Sequence, residues 1–268
     1  MDDQLRTLNE EGREAWDQKA VFWDQLHGDE GNVFHRSLVS PAVERLLALT
    51  PGERVLDIAC GSGQMARRIA ALGCKVTAVD FSAALIERAK ARGQSGGEPI
   101  QYSVADATDE DALAALGEGQ FDAVINTMAV MDMPVIAPLF RAARRLLRPG
   151  GRLIIATAHP AFNSNNPIFA SEMADEDGQL VYRHMVKIGA YLDVPPVKGV
   201  GAPGEPASHY YYHRTLTDLL GEAFAAGLLV DGIEEPGFPR IDPAEAKPLS
   251  WFAVWQIPPV LAVRFRVQ

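Results

Sequence analysis

Between Glu53 and about Ala158 the chain alternates short apolar runs with longer amphipathic segments, and this alternation constrains the fold more than any other feature. Runs rich in Val, Ile and Leu and flanked by turn residues predict five strands, at 54–58, 75–79, 100–104, 121–125 and 152–156. Helix-like segments lie between them, at 64–72, 82–92, 109–116 and 135–147. Strands separated by crossover helices form a parallel sheet with helices on both faces. The sequence therefore predicts an α/β fold with a doubly wound, mostly parallel sheet.

The segments on either side of this core differ from it in composition and in the spacing of apolar residues. Residues 1–50 have apolar side chains at helical spacing and predict a helical cap. Residues 159–213 are polar, acidic and rich in Pro and Gly without a steady period, which is typical of a binding insertion. Thr215 then opens a helix with a Thr-x-x-Asp capping box, Gly227 ends it, and strands follow at 228–233 and 260–267. We expect one domain over 1–268: the cap, a ligand-binding core at 51–158, an insertion that shapes a pocket, and a closing segment at 214–268.

The charge balance excludes some partners. The 268 residues include 25 Lys and Arg and 35 Asp and Glu, a formal net charge of −10, and no basic run offsets it. A nucleic acid or an anionic membrane surface is therefore an unlikely partner. The N-terminal residues lack the pattern of a signal peptide and no apolar run is long enough to span a bilayer, so we expect a cytoplasmic protein. With only Cys60 and Cys74, neither a disulfide framework nor a cysteine metal site is expected.

The strongest chemical signal is VLDIACGSG, a strand that runs into a glycine turn and a helix. Glycines such as Gly61 and Gly63 let a backbone approach a ligand closely, and the helix N-terminus offers free N–H groups. One interpretation is a dinucleotide site, with Gly61, Gly63 and Ala66 as G-x-G-x-x-A and Asp80 on the ribose. Asp57 argues against it, because a carboxylate there would repel a pyrophosphate and favour a positively charged ligand.

In its motifs the chain resembles the class I S-adenosylmethionine-dependent methyltransferases. VLDIACGSG is similar to their D/E-x-G-x-G-x-G loop, with Ala59 and Cys60 in place of the first Gly and its follower. VTAVDFS, YSVADAT, FDAVINTMAVMDM and LLRPGGRLII resemble the next four motifs, in order and at the right spacing. The likeness covers about residues 50–158, and the two late strands would supply the antiparallel hairpin that completes a seven-stranded sheet.

This resemblance implies S-adenosylmethionine as the cofactor. It places Asp80 on the ribose hydroxyls, Phe81 against the adenine, Asp106 on the adenine amino group and the chain after the fourth strand beside the cofactor. The implied cofactor residues are Asp57, Ala59, Cys60, Gly61, Gly63, Asp80, Phe81, Ser82, Asp106, Ala107, Asn126 and Thr127.

Simpler interpretations exist for the three aspartates. Asp57 could cap the turn through backbone N–H groups. Asp80 could be a helix N-cap, but Ser82 already fills that position. Asp106 precedes Thr108, which is itself a good N-cap with Asp111 three residues later, so Asp106 is free for a ligand.

Candidates for the acceptor side follow the carboxyl ends of the strands, where open α/β sheets bind ligands. His159 comes directly after the fifth strand and is our first candidate for a general base, with His213 the second. The run HYYYHR, from His209 to Arg214, resembles the lining of a pocket, although a half-buried strand or loop would also explain each member. The predicted substrate-binding residues are Trp23, His35, Asn163, Tyr211 and Arg214. No common metal-ligand spacing is present, so no metal is expected.

The resemblance implies in-line transfer of a methyl group to O, N or C of an acceptor, giving S-adenosylhomocysteine. The acidic, aromatic-rich composition and a cap that can close favour a small, neutral or cationic acceptor over RNA or DNA. Three alternatives stay open: an enzyme of the same fold that uses the cofactor without transferring methyl, for example in a cyclisation; a nicotinamide oxidoreductase; and a regulatory protein that only binds the cofactor. A homo-oligomer is possible.

Overall fold

A computed structural model describes residues 3–93, 98–241 and 247–267. Its centre is a seven-stranded sheet in the order β10-β11-β5-β4-β1-β2-β3. The strands are β1 (Arg54–Ile58), β2 (Lys75–Asp80), β3 (Gln101–Val104), β4 (Phe121–Thr127), β5 (Leu147–Ala158), β10 (Leu228–Glu234) and β11 (Val260–Val267). Strands β1 to β5 are parallel, and β11 pairs antiparallel with both β5 and β10. The predicted fold class, a doubly wound and mostly parallel seven-stranded sheet, is confirmed.

Alternate residues of the central strands enter two apolar layers, one on each face of the sheet. Leu56 and Val124 pack on one side with α6 (Ala137–Leu146) and α7 (Leu216–Ala225). Val55 and Ile125 pack on the other with α2 (Ser40–Leu47) and α3 (Gln64–Ala71). Strands buried on both faces read as continuous apolar runs, which is why the sequence located them well. The remaining core helices are α4 (Ala83–Arg92) and α5 (Glu110–Ala114).

The N-terminal segment forms the predicted helical cap. Its first element, α1 (Asp3–His27), is followed by a short π-helical turn, His35–Val39, that leads into α2. Asp17 ties α1 to the start of α4, since its Oδ1 accepts hydrogen bonds from the Ser82 hydroxyl at 2.6 Å and the Ala84 N–H at 3.2 Å. Asp24 adds ion pairs to Arg88 and Arg92 of α4. The cap is therefore docked against the sheet layer through polar contacts.

The insertion contains strands that the sequence did not predict. Strands β6 (Ile168–Glu176) and β7 (Gln179–Lys187) form a long antiparallel hairpin, and β8 (Val197–Gly199) pairs with β9 (His209–Tyr211). The hairpin residues are exposed or half-buried on both faces, so no alternation of apolar and polar residues marks them. The expectation of an irregular segment was wrong for residues 168–187.

The closing segment follows the prediction closely. Thr215 is the N-cap of α7 and forms a complete capping box with Asp218. Gly227 follows the helix with φ +77°, the left-handed conformation that glycine adopts readily after a helix end. Within the described ranges, every helix falls short of the combination of length and apolar character that a bilayer span requires.

Candidate active site

A cavity of about 500 Å³ lies at the carboxyl ends of the parallel strands, the edge at which open α/β sheets place ligands. The residues that follow β1, β2 and β3 line one part of it. The residues that follow β4 and β5, together with β9, line another, and α1 runs across the opening. Helix α1 contributes Asn9, Trp16, Trp23 and His27 to the wall. The cavity is therefore shared by the core, the cap and the insertion.

The glycine loop after β1 has the left-handed backbone expected of a close-approach turn. Gly61 has φ +56° and lines the cavity, and an added Cβ there would meet no atom within 4 Å. Gly63 has φ +77°, and a Cβ there would lie 2.4 Å from the hydroxyl oxygen of Tyr102. Gly61 thus opens space for a ligand, whereas Gly63 makes room for a packed side chain beneath the loop.

Asp57 is a fully buried carboxylate without a partner. Its relative exposure is 0%, and neither oxygen has a partner with normal hydrogen-bond geometry among the described residues. Burial raises its pKa well above the usual range and the nearby charge of Asp80 raises it further, against a smaller lowering effect of the Ala66 backbone N–H. An unsatisfied buried carboxylate of this kind is stabilised when a positively charged group binds near it.

Asp80, at the end of β2, links the glycine loop to α4. One carboxylate oxygen accepts a hydrogen bond from the Gly61 N–H at 2.8 Å, and the other accepts one from the Ser82 N–H at 2.9 Å. Burial is the main reason that its pKa rises to about 6, against the lowering effect of the two N–H groups. Asp80 lines the cavity, and Ser82 is the N-cap of α4 as predicted.

Asp106 also lines the cavity, but its surroundings differ from the prediction. Its Oδ2 accepts a hydrogen bond from Asn9 Nδ2 of α1 at 2.6 Å, and its Oδ1 accepts bonds from the backbone and the hydroxyl of Thr108. The N-cap of α5 is Asp109 rather than Thr108, since Asp109 accepts from the N–H groups of Asp111 and Ala112. The prediction that Thr108 caps this helix was wrong, and its hydroxyl holds Asp106 in place instead.

The structure brings together eight of the twelve predicted cofactor residues. Those that line the cavity are Ala59, Cys60, Gly61, Asp80, Phe81, Asp106, Ala107 and Thr127. The other four lie outside the lining. Asp57 and Gly63 lie in β1 and its loop, Ser82 donates to Asp17 and caps α4, and the Asn126 side chain donates to the Ile58 carbonyl at 2.9 Å. Ser82 and Asn126 therefore hold the cavity walls rather than face a ligand.

Four of the five predicted acceptor residues line the cavity. They are Trp23, His35, Asn163 and Tyr211. Arg214 does not, because its guanidinium donates to the backbone carbonyls of Val130 at 2.7 Å and Met133 at 2.5 Å. Burial lowers the pKa of His35 to about 4, so its imidazole is uncharged at neutral pH.

Neither predicted base faces the cavity. His159 Nδ1 accepts a hydrogen bond from the Ala161 N–H at 3.1 Å, so its Nε2 carries the proton toward Glu235, 2.8 Å away. His213 lies between the Tyr191 carbonyl and the Ser164 hydroxyl, at 2.8 and 2.7 Å. Both rings have both nitrogens engaged, and neither residue is part of the cavity lining. This geometry argues against the general-base role expected of His159 and leaves His213 behind Ser164.

A buried polar chain on the acceptor side was not predicted. Lys19 of α1 lies 2.8 Å from Glu205 and 2.5 Å from His209 Nδ1, and His209 Nε2 lies 3.2 Å from Asp132 Oδ1. His209 and Asp132 line the cavity. The run His209 to Arg214 indicated only the His209 member of this polar chain. Lys19 and Asp132 come from distant segments of the sequence, and only the fold brings them together.

The acidic and basic side chains of the cavity wall are unevenly represented. Three aspartates line it: Asp80, Asp106 and Asp132. Within residues 3–93, 98–241 and 247–267, no lysine or arginine lines it. Over the same ranges, no cluster of three or more His, Cys, Asp or Glu side chains is arranged to hold a metal ion. An uncharged or cationic ligand matches such a cavity better than an anionic one.

The fold and this cavity define a Rossmann-like protein with a ligand site at the strand ends. Residues 56–155 match the family described as a methyltransferase domain. The Ubiquinone biosynthesis O-methyltransferase of Xanthomonas oryzae pv. oryzae is 38% identical over 106 residues, which are 40% of this chain and 43% of that protein. The match thus spans less than half the length of this curated relative.

Solved structures extend the likeness to the whole fold. An S-adenosylmethionine-dependent methyltransferase from Mesorhizobium loti has a TM-score of 0.62 at 25% identity, over 84% of this chain and 96% of that one. A [4+2]-cyclase has a TM-score of 0.62 at 17% identity, over 97% and 96%. The resemblance predicted from the motifs is confirmed for the matched region: residues 56–155 match a methyltransferase domain, and the fold is that of the S-adenosylmethionine-dependent methyltransferase from Mesorhizobium loti.

Proposed function

We propose that the protein binds S-adenosylmethionine in the cavity and transfers its methyl group to a small-molecule acceptor. The observation that carries this proposal is the unpartnered carboxylate of Asp57 beneath a glycine loop that opens onto the cavity. A cofactor with an ammonium group and a sulfonium would compensate that buried negative charge, which a dinucleotide pyrophosphate would not. The name of the curated relative, an O-methyltransferase, supports the same reaction class.

The residues present fit this cofactor. Gly61 leaves space for close approach, and Asp57 offers a negative charge below the loop. Asp80 and Asp106 line the same side of the cavity, with carboxylates held by backbone and side-chain donors. Carboxylates fixed in this way are suited to accept hydrogen bonds from ribose hydroxyls and an adenine amino group. Phe81 and Ala107 offer apolar surface beside them.

When bound, S-adenosylmethionine supplies a methyl group already activated by its sulfonium. The contribution of the chain is then to orient the acceptor and to exclude water, and orientation can lower a barrier by roughly 7–11 kcal/mol. Helix α1 and the insertion would close the acceptor side, with Trp16, Trp23 and Tyr211 as the apolar wall. We propose this division of labour for residues 1–50 and 159–213, within one domain.

Calorimetric titration of the protein with S-adenosylmethionine, S-adenosylhomocysteine and NAD⁺ tests the cofactor. We expect the first two to bind with micromolar affinity and NAD⁺ to bind at least a hundredfold more weakly; the reverse order would favour an oxidoreductase.

Mass spectrometry of reactions with a library of small molecules tests the reaction. S-adenosylhomocysteine together with an acceptor heavier by one methylene supports methyl transfer, whereas a changed acceptor with intact cofactor supports the cyclisation alternative. Cofactor binding without turnover of any library member would favour a regulatory protein.

A further inference from the structure

Asp132 presents a carboxylate to the acceptor side of the cavity from a short turn after β4. The turn is the 3₁₀ segment Val130–Asp132, and the carboxylate lines the cavity together with Met131 and Met133. Its Oδ1 lies 3.2 Å from His209 Nε2. Asp132 lies near the end of the FDAVINTMAVMDM motif but is not among the implied cofactor residues.

The hydrogen bond between His209 and Asp132 has a defined direction. The Lys19 ammonium lies 2.5 Å from His209 Nδ1 and can only donate, so Nδ1 accepts and the ring proton is on Nε2. That N–H points at Asp132 Oδ1, which accepts the hydrogen bond. Glu205 lies 2.8 Å from Lys19 and forms an ion pair with it. Lys19 is thus paired with Glu205, and Asp132 has the neutral His209 ring rather than a cation as its hydrogen-bond partner.

The turn that carries Asp132 is fixed on both sides. Arg214 donates to the carbonyls of Val130 and Met133, and the Tyr212 N–H donates to the Met131 carbonyl at 2.7 Å. Three hydrogen bonds from a second segment therefore clamp the backbone around this one side chain. A carboxylate held this firmly at a cavity wall is preorganised for a ligand.

The surroundings of Asp132 are aromatic. The His209 ring lies 4.3 Å from that of Tyr211 and 5.2 Å from that of Trp16, and Trp16 lies 5.8 Å from Trp23. Burial raises the pKa of Tyr211 above its ordinary value, so its phenol is uncharged. The Trp16 ring already has the Lys19 ammonium 3.8 Å from its centroid, which shows that this aromatic wall accommodates a cation. Aromatic faces beside a carboxylate attract organic cations and repel anions.

We propose that Asp132 binds a basic amine of the methyl acceptor, so that the substrate class of this site is a small aromatic or apolar amine. This inference rests on the proposed function, because it assigns the other part of the cavity to the cofactor. The ammonium would lie against Asp132, with the aromatic wall around the remainder of the molecule. An acceptor with a carboxylate or phosphate in the same position would be excluded by charge.

Binding of three probes of one shape tests the proposal. Phenethylamine, 2-phenylethanol and phenylacetate differ only in the terminal group, and each is titrated by calorimetry at pH 7.5 into protein saturated with S-adenosylhomocysteine. We expect phenethylamine to bind at least about tenfold tighter than 2-phenylethanol, and phenylacetate to be weakest. The variant Asp132→Asn should lose about tenfold or more in phenethylamine affinity and change 2-phenylethanol affinity by less than about threefold.

The control is Asp111→Asn, which removes an equal charge from a side chain exposed on α5 and should leave all three affinities unchanged. Unchanged S-adenosylhomocysteine affinity in Asp132→Asn verifies that the variant is folded. Equal or tighter binding of 2-phenylethanol or phenylacetate, absence of binding by all three probes, or an unaltered preference in Asp132→Asn would overturn the amine assignment. Failure of S-adenosylhomocysteine itself to bind would instead contradict the proposed function, so the two failures are distinguishable.

Discussion

Lys19 Nζ lies 2.8 Å from Glu205 Oε1, and neither side chain is accessible to solvent. The pair joins α1 to the insertion across 186 residues of sequence, and Lys19 also contacts His209, which lines the cavity. Glu205 also accepts hydrogen bonds from Trp23 Nε1 at 2.9 Å and from the Gly201 N–H at 2.6 Å. Burial lowers the pKa of Lys19, while its contacts with Glu205 oppose that shift. A buried pair of this kind couples two segments, whether or not it adds net stability.

Removing the charge of one member of this pair should therefore lower the free energy of unfolding more than removing both charges does. We expect Lys19→Met to lower the free energy of unfolding by about 3–5 kcal/mol, because it leaves the Glu205 charge buried and unpaired. The double variant Lys19→Met/Glu205→Gln should recover at least half of that loss, since Gln retains an acceptor for Trp23. Urea denaturation at pH 7.5 measures both. A double variant as unstable as the single one would contradict this account.

Asp57 should destabilise the ligand-free protein and strengthen cofactor binding. At pH 7.5 we expect Asp57→Asn to raise the free energy of unfolding by about 1 kcal/mol or more, because the burial penalty on an unpaired carboxylate is removed. The same change should weaken S-adenosylmethionine binding at least about tenfold, equivalent to about 1.4 kcal/mol. Denaturation and calorimetry measure the two effects.

Asp122→Asn is the matched control for that experiment. Asp122 is also buried, but it forms an ion pair with Arg148 and accepts a hydrogen bond from the Arg54 N–H. Its substitution should lower stability and leave cofactor affinity unchanged. A gain of stability in Asp57→Asn together with a loss in Asp122→Asn would support the account of Asp57, and a loss of stability in Asp57→Asn would refute it.

Asp80 should make stability depend on pH between about 4 and 6. Its pKa rises from 3.8 to about 6 on folding, so the folded state holds the proton more tightly than the unfolded state. The contribution is complete below the unfolded value and is lost as the pH rises through the folded one. We expect the unfolding free energy of the wild type, minus that of Asp80→Asn, to fall by about 2–3 kcal/mol from pH 4 to pH 7. A difference that is constant over this range would be inconsistent with the shift.

Gly63 should tolerate substitution less well than Gly61. Both have positive φ, but a Cβ at Gly63 would lie 2.4 Å from the Tyr102 hydroxyl oxygen, whereas Gly61 faces open space. We expect Gly63→Ala to cost about 2–4 kcal/mol of stability and Gly61→Ala only about 1 kcal/mol of backbone strain. Adding Tyr102→Phe to Gly63→Ala should restore part of the loss, and thermal unfolding measures it. For cofactor binding we expect the reverse order, with the larger loss in Gly61→Ala.

Sequence reasoning located the core because its signals are local. Strands such as Arg54–Ile58 are short segments rich in Val, Leu and Ile, and the Thr215 cap is readable from four consecutive residues. The motif that contains Asp80 and Phe81 located two residues of the cavity lining for the same reason: Asp80 ends β2 and Phe81 follows it directly. The β6–β7 hairpin escaped prediction because neither of its faces is buried in the core, so its sequence carries no period.

The acceptor side could not be predicted to the same extent, because its geometry is nonlocal. Lys19, Asp132 and His209 belong to three segments, and their sequence context identifies each only as a polar residue near an apolar element. His159 was a sound candidate by position after β5, yet the Ala161 N–H and Glu235 engage its ring. Whether an imidazole nitrogen is free to act as a base depends on hydrogen-bond partners that only the folded chain supplies.

Helix α1 crosses the cavity, from the Asn9–Asp106 contact at one end to the His27 and His35 rings, 4.6 Å apart, at the other. The wall that closes over a ligand is thus the first element of the chain, attached to the sheet layer by Asp17 and Asp24 rather than by strand pairing. An exchange of α1 and residues 159–213 for other sequences would leave every strand pairing of the seven-stranded sheet intact. Under the proposed function, acceptor preference is therefore a modular property of this architecture, open to redesign by exchanging these two segments on an unchanged central sheet.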